Sequence, residues 1–311
     1  MLKVSVILPT HDRPESLMRA VESVLSQRRP ADELIIVNDG QREVPAALAE
    51  RAEQADVSFK VIRSRVASCP RSRNLGAAGS AGDILVFIED DLLLGEEYLE
   101  RLLELYEADS ANLVAGIGAV VVEAESGGAK ESLWNFFGRL AGQECWRPRR
   151  CAARYVPLPP ALQGRLVPAS RLYGGGLSLR RETAAAEKFD ETLSGYALGE
   201  DLAFSYRVSM RYALFVAPQI KVVHARARTG RPEMYARGRM YVSNLLYIAR
   251  NCVEGGAGTW LLVGFELAGA VFRYSLWGLL AFNRRALDFA AGVVRELAAS
   301  ARKSMRKLLC G

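Results

Sequence analysis

The stretch Asp83 to Asp91, DILVFIEDD, constrains this chain more than any other. Ile84 to Ile88 are five apolar residues in a row, with no polar face to offer water. A short run of this kind reads as a strand covered on both sides, the habit of parallel sheets. It ends on Glu89, Asp90 and Asp91. Three neighbouring carboxylates repel one another at pH 7 unless a cation sits among them or their pKa values rise. Open α/β sheets bind ligands at the carboxyl ends of their strands. The combination therefore points to a divalent-metal site holding a phosphorylated ligand, with a solvated acidic loop as the plainer alternative.

The flanking sequence supplies the rest of such a sheet. Val4 to Leu8 reads as a first strand, stopped by Pro9. A helix follows, with Asp12 as its N-cap, Glu15 three residues on and Pro14 in its first turn. Leu17, Val21, Val24 and Leu25 share one face of it. Leu34 to Val37 is a second strand ending in Asn38-Asp39-Gly40. A helix near 44–54, a strand near 57–62 and a helix over 70–81 lead to the acidic strand, and a helix at 98–108 and a strand at 113–122 come after it. Strands alternating with helices predict an α/β fold with a mostly parallel, Rossmann-like sheet and right-handed crossovers. Thr10, His11, Asp12, Arg13, Asp39 and the three acids all follow strands, so one sheet edge can gather them. The G-x-G-x-x-G dinucleotide fingerprint and the G-x-x-x-x-G-K-[ST] phosphate loop are both missing.

Residues 124 to about 170 carry no readable period, although Trp134, Phe136, Phe137 and Trp146 fall there. Pattern returns at Leu172-Tyr-Gly-Gly-Gly-Leu-Ser-Leu-Arg-Arg181, where Gly174 to Gly176 allow a backbone to approach a ligand closely. Gly199-Glu-Asp opens a helix, and carboxylates there are also favoured simply by the helix dipole. A strand over 216–223 leads to His224, one of only two histidines. Arg237, Arg239 and Tyr241 lie on a helix over 231–250, facing either an anionic group or water.

Charge and hydropathy divide the end of the chain. The net charge is +6, and residues 284–311 hold seven basic against two acidic residues, so most of the surplus is in the tail. Before it, 24 residues from Thr259 to Phe282 are apolar apart from Glu266 and Arg273. Those two charges are seven apart and share a helical face, which makes a helix lying in a membrane interface or packed on the protein a better reading than a span. Basic residues after Arg284 would then meet anionic headgroups. No nucleic-acid module accompanies the tail. The five cysteines are odd in number with no zinc-like spacing. Nothing before the first strand leaves room for a signal peptide, so the expectation is a cytoplasmic protein with reduced thiols.

PTHDRP after the first strand, VNDG after the second, RSRNLG and FIEDD together resemble the family 2 glycosyltransferases of GT-A fold. The resemblance implies a domain at 1–252, with a nucleotide-sugar-binding half at 1–123 and an acceptor-side half at 124–252, and a helical tail at 253–311. It implies that Thr10, Asp39 and Arg73 contact the base and Glu89 the ribose, with Asp12, Arg13, Asp90 and Gly175 completing the donor cradle. Asp91 and His224 would ligate Mn²⁺ or Mg²⁺ at the diphosphate, in keeping with ions held by one or two carboxylates plus substrate phosphates. Asp201, with Glu200 as its neighbour and rival, would be the general base.

The implied reaction is metal-dependent, inverting transfer of one sugar from a UDP, GDP or dTDP donor to a hydroxyl of a glycan or lipid-linked acceptor. The enzyme would be peripheral on the cytoplasmic face of a membrane through 259–308. The Q-x-x-R-W motif of processive synthases is absent, which implies a single transfer. Glu89 stands where Asp is usual and Asp12 where Asn is usual. A sugar nucleotidyltransferase and a non-catalytic nucleotide or glycan binder are the competing readings.

Overall fold

Each apolar run of the first half becomes a strand, and together with strands from later in the chain they form a nine-stranded sheet. The computed structural model describes residues 1–123, 156–193, 195–225, 232–252 and 256–310. In chain order the elements are β1 (Val4–Thr10), α1 (Pro14–Leu25), β2 (Glu33–Asn38), α2 (Ala47–Gln54), β3 (Ser58–Arg63), α3 (Cys69–Gly79), β4 (Ile84–Phe87), β5 (Leu92–Leu94), α4 (Tyr98–Glu107) and β6 (Val114–Glu123). They continue with β7 (Val167–Ala169), β8 (Leu177–Arg180), α5 (Arg181–Ala186), α6 (Glu200–Arg211), β9 (Ala213–His224), α7 (Met234–Asn251), α8 (Ala257–Leu280) and α9 (Arg284–Cys310).

The sheet order is β3-β2-β1-β4-β8-β6-β9-β5, with β7 also on β9. β1 to β4, β6 and β9 run one way, while β5, β7 and β8 run against them. The mostly parallel α/β fold is therefore the observed one. β4 lies inside the sheet, parallel to β1 and antiparallel to β8. Its side chains alternate as a strand requires. Ile84, Val86 and Ile88 join the core that includes Leu17, Val21 and Val24 of α1. Leu85 and Phe87 join the opposite core with Phe189 and Phe204. Burial on both faces explains why the sequence shows a continuous apolar run there.

Two local expectations change. Asp12 does not cap α1, whose N-cap position is Arg13 with no side-chain cap. Asp12 instead adopts a left-handed backbone, φ 55°, and its Oδ1 accepts the Gln41 and Arg42 N–H groups at 2.6 and 2.7 Å. The second change is β5, three residues directly after the acids, which pairs antiparallel with the end of β9.

Among the described residues one compact unit takes in 1–123 and 156–225, and a second takes in 232–310. The second consists of α7, α8 and α9, so α7 belongs with the tail helices rather than with the sheet. Within it Arg239, a candidate for anion contact, donates from Nε to Glu296 Oε2 at 2.8 Å. Tyr241 donates to Glu266 Oε1 at 2.7 Å, and Tyr274 stacks on Phe289 at 4.0 Å. No described helix is long and apolar enough to cross a membrane. Trp134, Phe136, Phe137 and Trp146 lie outside the described residues.

The Arg180-Arg181 pair sits at the far end of β8 from the glycines. Arg180 Nη2 donates to the fully buried Asp109 at 3.1 Å, and its Nε to the Val114 carbonyl at 3.0 Å. Arg181 Nη1 donates to the Ser80 carbonyl at 3.1 Å. Both arginines therefore lock the sheet rather than face the acidic strand end. Arg180→Met would leave Asp109 as an uncompensated buried charge and is expected to cost about 3 kcal/mol in urea unfolding. Adding Asp109→Asn should recover part of the loss. A loss below about 1 kcal/mol for the single variant would contradict the lock.

Candidate active site

The three acids after β4 point in three directions, and each meets a different partner. Asp90 is buried; its Oδ2 accepts the Thr10 hydroxyl at 2.8 Å and its Oδ1 accepts Arg13 Nη1 at 2.9 Å. Burial pushes the Asp90 carboxyl up, against the pull of Arg13 and Thr10. Glu89 accepts Arg73 Nη2 at 3.1 Å with about a third of its side chain still open, 32%. Burial raises its pKa, with Arg73 opposing and the charges of Asp91 and Asp201 adding to the rise. Asp91 is buried and lies 3.4 Å from His224 Nε2. That contact holds the imidazole pKa above its ordinary value.

β5 explains how His224 arrives there. Leu92 pairs with His224 across the β5–β9 ladder, and the Ala225 N–H donates to the Asp91 carbonyl at 2.8 Å. Glu123, at the end of the parallel neighbour β6, lies 3.4 Å from His224 Nδ1. One ligand atom each from Glu89, Asp91 and His224 falls within a 4.8 Å span. Two carboxylates and an imidazole form a donor set that suits Mn²⁺ or Mg²⁺, ions that take the rest of their shell from water and phosphate oxygen. The residues present therefore fit such an ion.

The nucleoside side of the crevice is built on Asp39. Its Oδ1 is 2.8 Å from His11 Nδ1, and its Oδ2 accepts the Ser68 N–H at 2.9 Å and the Ser72 hydroxyl at 3.0 Å. Ser68 and Ser72 belong to the start of α3, so Asp39 ties the end of β2 to that helix. Arg73, one residue further, is fully buried. It ion-pairs with Glu200 through Nη1 and with Glu89 through Nη2, and its guanidinium lies 5.3 Å from the centre of the Phe189 ring. Gly174 lies flat against it; a Cβ there would come within 2.7 Å of both Arg73 Nη atoms. A Cβ on Gly175 would collide with Leu92 and approach the Glu89 carboxyl. The glycine run thus exists for close packing at the crevice end of β8.

Glu200 and Asp201 open α6, yet they are used differently. Glu200 is buried against Arg73. Asp201 is half-buried; its Oδ2 accepts the Gly174 N–H at 3.3 Å and its Oδ1 the Leu202 N–H at 2.8 Å. The structure therefore gathers Thr10, Arg13, Asp39, Arg73, Glu89, Asp90, Asp91, Gly175, Glu200, Asp201 and His224 around one strand end. Asp12 instead holds the β2–α2 loop.

Two residues without a predicted role also belong. Glu123 borders His224, and its only sequence signal was its place at the end of a long strand. The Tyr173 ring lies 6.5 Å from His224, and burial beside Glu89, Asp201 and Asp91 raises its phenol pKa. Burial pushes the Cys69 thiol up to about 11, which disfavours the thiolate.

Residues 5–152 match the family model described as glycosyl transferase family 2. A curated relative, the poly(ribitol-phosphate) beta-N-acetylglucosaminyltransferase TarP of Staphylococcus aureus, is 32% identical over 119 residues. That match covers 37% of this chain and 36% of TarP, so the chain spans only about a third of that relative's length. Among solved structures, S. aureus TarS 1-349 aligns with TM-score 0.55 and 12% identity over 96% of this chain and 92% of that one. The mannosyltransferase PcManGT of Pyrobaculum calidifontis, in complex with GDP-Man and Mn²⁺, aligns with TM-score 0.57 and 16% identity over 99% of this chain and 80% of that one. At such identities the likeness is one of fold. The family match over residues 5–152 takes in just under half of the chain, and the chain shares the GT-A fold of these glycosyltransferase structures.

Proposed function

We propose that the chain is a metal-dependent, inverting glycosyltransferase that moves a single sugar from a nucleoside diphosphate donor to an acceptor hydroxyl. The observation that carries this reading is the Glu89, Asp91 and His224 cluster at the carboxyl end of β4, with half-buried Asp201 beside it. Asp91 and His224 would hold Mn²⁺ or Mg²⁺, with Glu89 at its edge toward the ribose. When bound, the ion offsets the charge that develops on the departing diphosphate. TarS has been solved with UDP and PcManGT with GDP-Man; for this chain UDP, GDP and dTDP donors all remain within the proposal.

The protein's own groups do the rest. Asp39, anchored by Ser68 and Ser72, presents a fixed carboxylate edge to the base. Arg73 serves as a strut behind the site, because its Nη atoms are turned to Glu89 and Glu200. Asp201, steadied by the Gly174 N–H, takes the proton of the acceptor hydroxyl as that oxygen attacks the anomeric carbon from the face opposite the diphosphate. Glu200 is committed to Arg73, and this favours its neighbour as base. The acceptor is a glycan or lipid-linked glycan, and the protein works peripherally at the cytoplasmic face of a membrane through 259–308. The outward apolar residues of α8 support that placement.

Three substitutions separate these roles. Asp201→Asn should lower kcat by about a hundredfold or more with donor affinity and melting temperature unchanged. Glu200→Gln should instead lower the melting temperature by loosening Arg73; full activity in Asp201→Asn would move the base elsewhere. Asp91→Ala should lower transfer by about a hundredfold or more at any Mn²⁺ concentration. Unchanged transfer would remove Asp91 from the metal site.

A further inference from the structure

α8 is apolar on two faces and buries only one of them. At 100° per residue Leu261, Phe265, Ala268, Phe272 and Leu279 fall within about 60° of one another on the helix. All five are exposed, at 74%, 54%, 57% and 66% for Leu261, Phe265, Phe272 and Leu279. The two charges of this helix take the other side. Arg273 is 5% exposed, and Glu266 accepts the Tyr241 hydroxyl of α7. A helix of a water-soluble bundle places its apolar stripe inward and its charges outward; this one buries Val263, Leu267 and Arg273 and leaves a second apolar stripe bare.

The turn after α8 adds an independent observation. The Asn283 N–H donates to the Gly278 carbonyl at 2.9 Å, closing the helix with the left-handed turn that glycine makes most cheaply. The residue in the left-handed position is Phe282, φ 49°, and its side chain is 95% exposed. A bulky residue there strains the backbone, and a bare aromatic ring in water is unfavourable as well. Among the described residues nothing returns either cost. Arg284 and Arg285, both exposed, follow immediately.

We infer that the outer face of α8, with Phe282 as its leading wedge and Arg284 and Arg285 as its charged border, is a docking surface for an anionic lipid bilayer. The helix lies in the plane of the interface, since no described helix is long and apolar enough to cross. Its stripe and Phe282 enter the acyl boundary while the two arginines meet headgroup phosphates. The charge beside the stripe selects an anionic bilayer over a second copy of the chain, since the copy carries the same arginines and offers them no anionic partner on this face. This inference rests on and sharpens the membrane placement proposed above, and it fails or holds independently of the sugar-transfer reading.

Flotation of the full-length protein with phosphatidylcholine vesicles, with and without phosphatidylglycerol, tests it. The wild type should float with the anionic vesicles and much less with the neutral ones. Phe265→Ser with Phe272→Ser should cut the bound fraction about tenfold at unchanged melting temperature. Phe282→Gly should relieve the strained turn, keeping or raising the melting temperature, yet bind anionic vesicles several times more weakly, by roughly threefold or more. Arg284→Gln with Arg285→Gln should erase the preference for the anionic vesicles. The proposal is overturned if the wild type does not float, or if the phenylalanine variants float as it does. It is equally overturned if the lipid-free protein is a dimer that Phe265→Ser with Phe272→Ser dissociates.

Discussion

Three carboxylates in a row at the end of a buried strand are the constraint on which the site depends. Two unit charges about 5 Å apart repel by roughly 3 kcal/mol at an effective dielectric near 20, and a run of three compounds this. The fold meets the problem by giving each acid a partner from a different segment. Arg73 of α3 answers Glu89, Arg13 of the β1–α1 loop answers Asp90, and His224 of β9 answers Asp91. Satisfying the acids therefore draws three distant stretches of chain to one strand end. The three answers also differ in kind. Asp90 is closed off by Thr10 and Arg13, whereas Asp91 and Glu89 meet His224 in a cluster of metal-ligating geometry.

Arg73 is the second fixed point. Enclosing a guanidinium entirely is costly unless every direction offers compensation. Here two carboxylates on the Nη atoms and the Phe189 ring supply most of it, while Nε has no hydrogen-bond partner among the described residues. One consequence reaches the chemistry. Because Glu200 is held by Arg73, the adjacent Asp201 is the carboxylate of the pair that retains solvent access, steadied by a backbone N–H from the same glycine run. Which of two neighbouring acids is available is thus decided by a buried arginine far from both in sequence.

Much of this was legible in the sequence, for reasons that also explain what was not. β4 announced itself because burial on both faces leaves an unbroken apolar run, and β1 and β2 did so for the same reason. Asp91 and His224 stood out as an acid and one of only two histidines, each at a strand end. β5 was hidden because three residues are too few to show a period, although it is the element that brings His224 opposite Asp91. Asp12 was read as a helix cap from local spacing, but its left-handed backbone turns it to the β2–α2 loop, a contact no local pattern encodes. Arg73 read as a base contact because a buried arginine looks like any other until its carboxylates are located. In α8 the spacing of Glu266 and Arg273 was correctly taken as one shared face. That this face turns inward, leaving an apolar one bare, depends on α7 and α9.

The account rests on the acidic end of β4 holding a divalent ion together with a nucleoside diphosphate. The most direct measurement is a thermal-shift titration of the full chain with UDP, GDP and dTDP, each in the presence of Mn²⁺ and of a chelator. The account predicts that one of the nucleotides raises the melting temperature by several degrees with Mn²⁺, about what a ligand at a hundred times its Kd gives, and has little effect without it. Equal stabilisation with the chelator, or none by any nucleotide with the metal present, would contradict it.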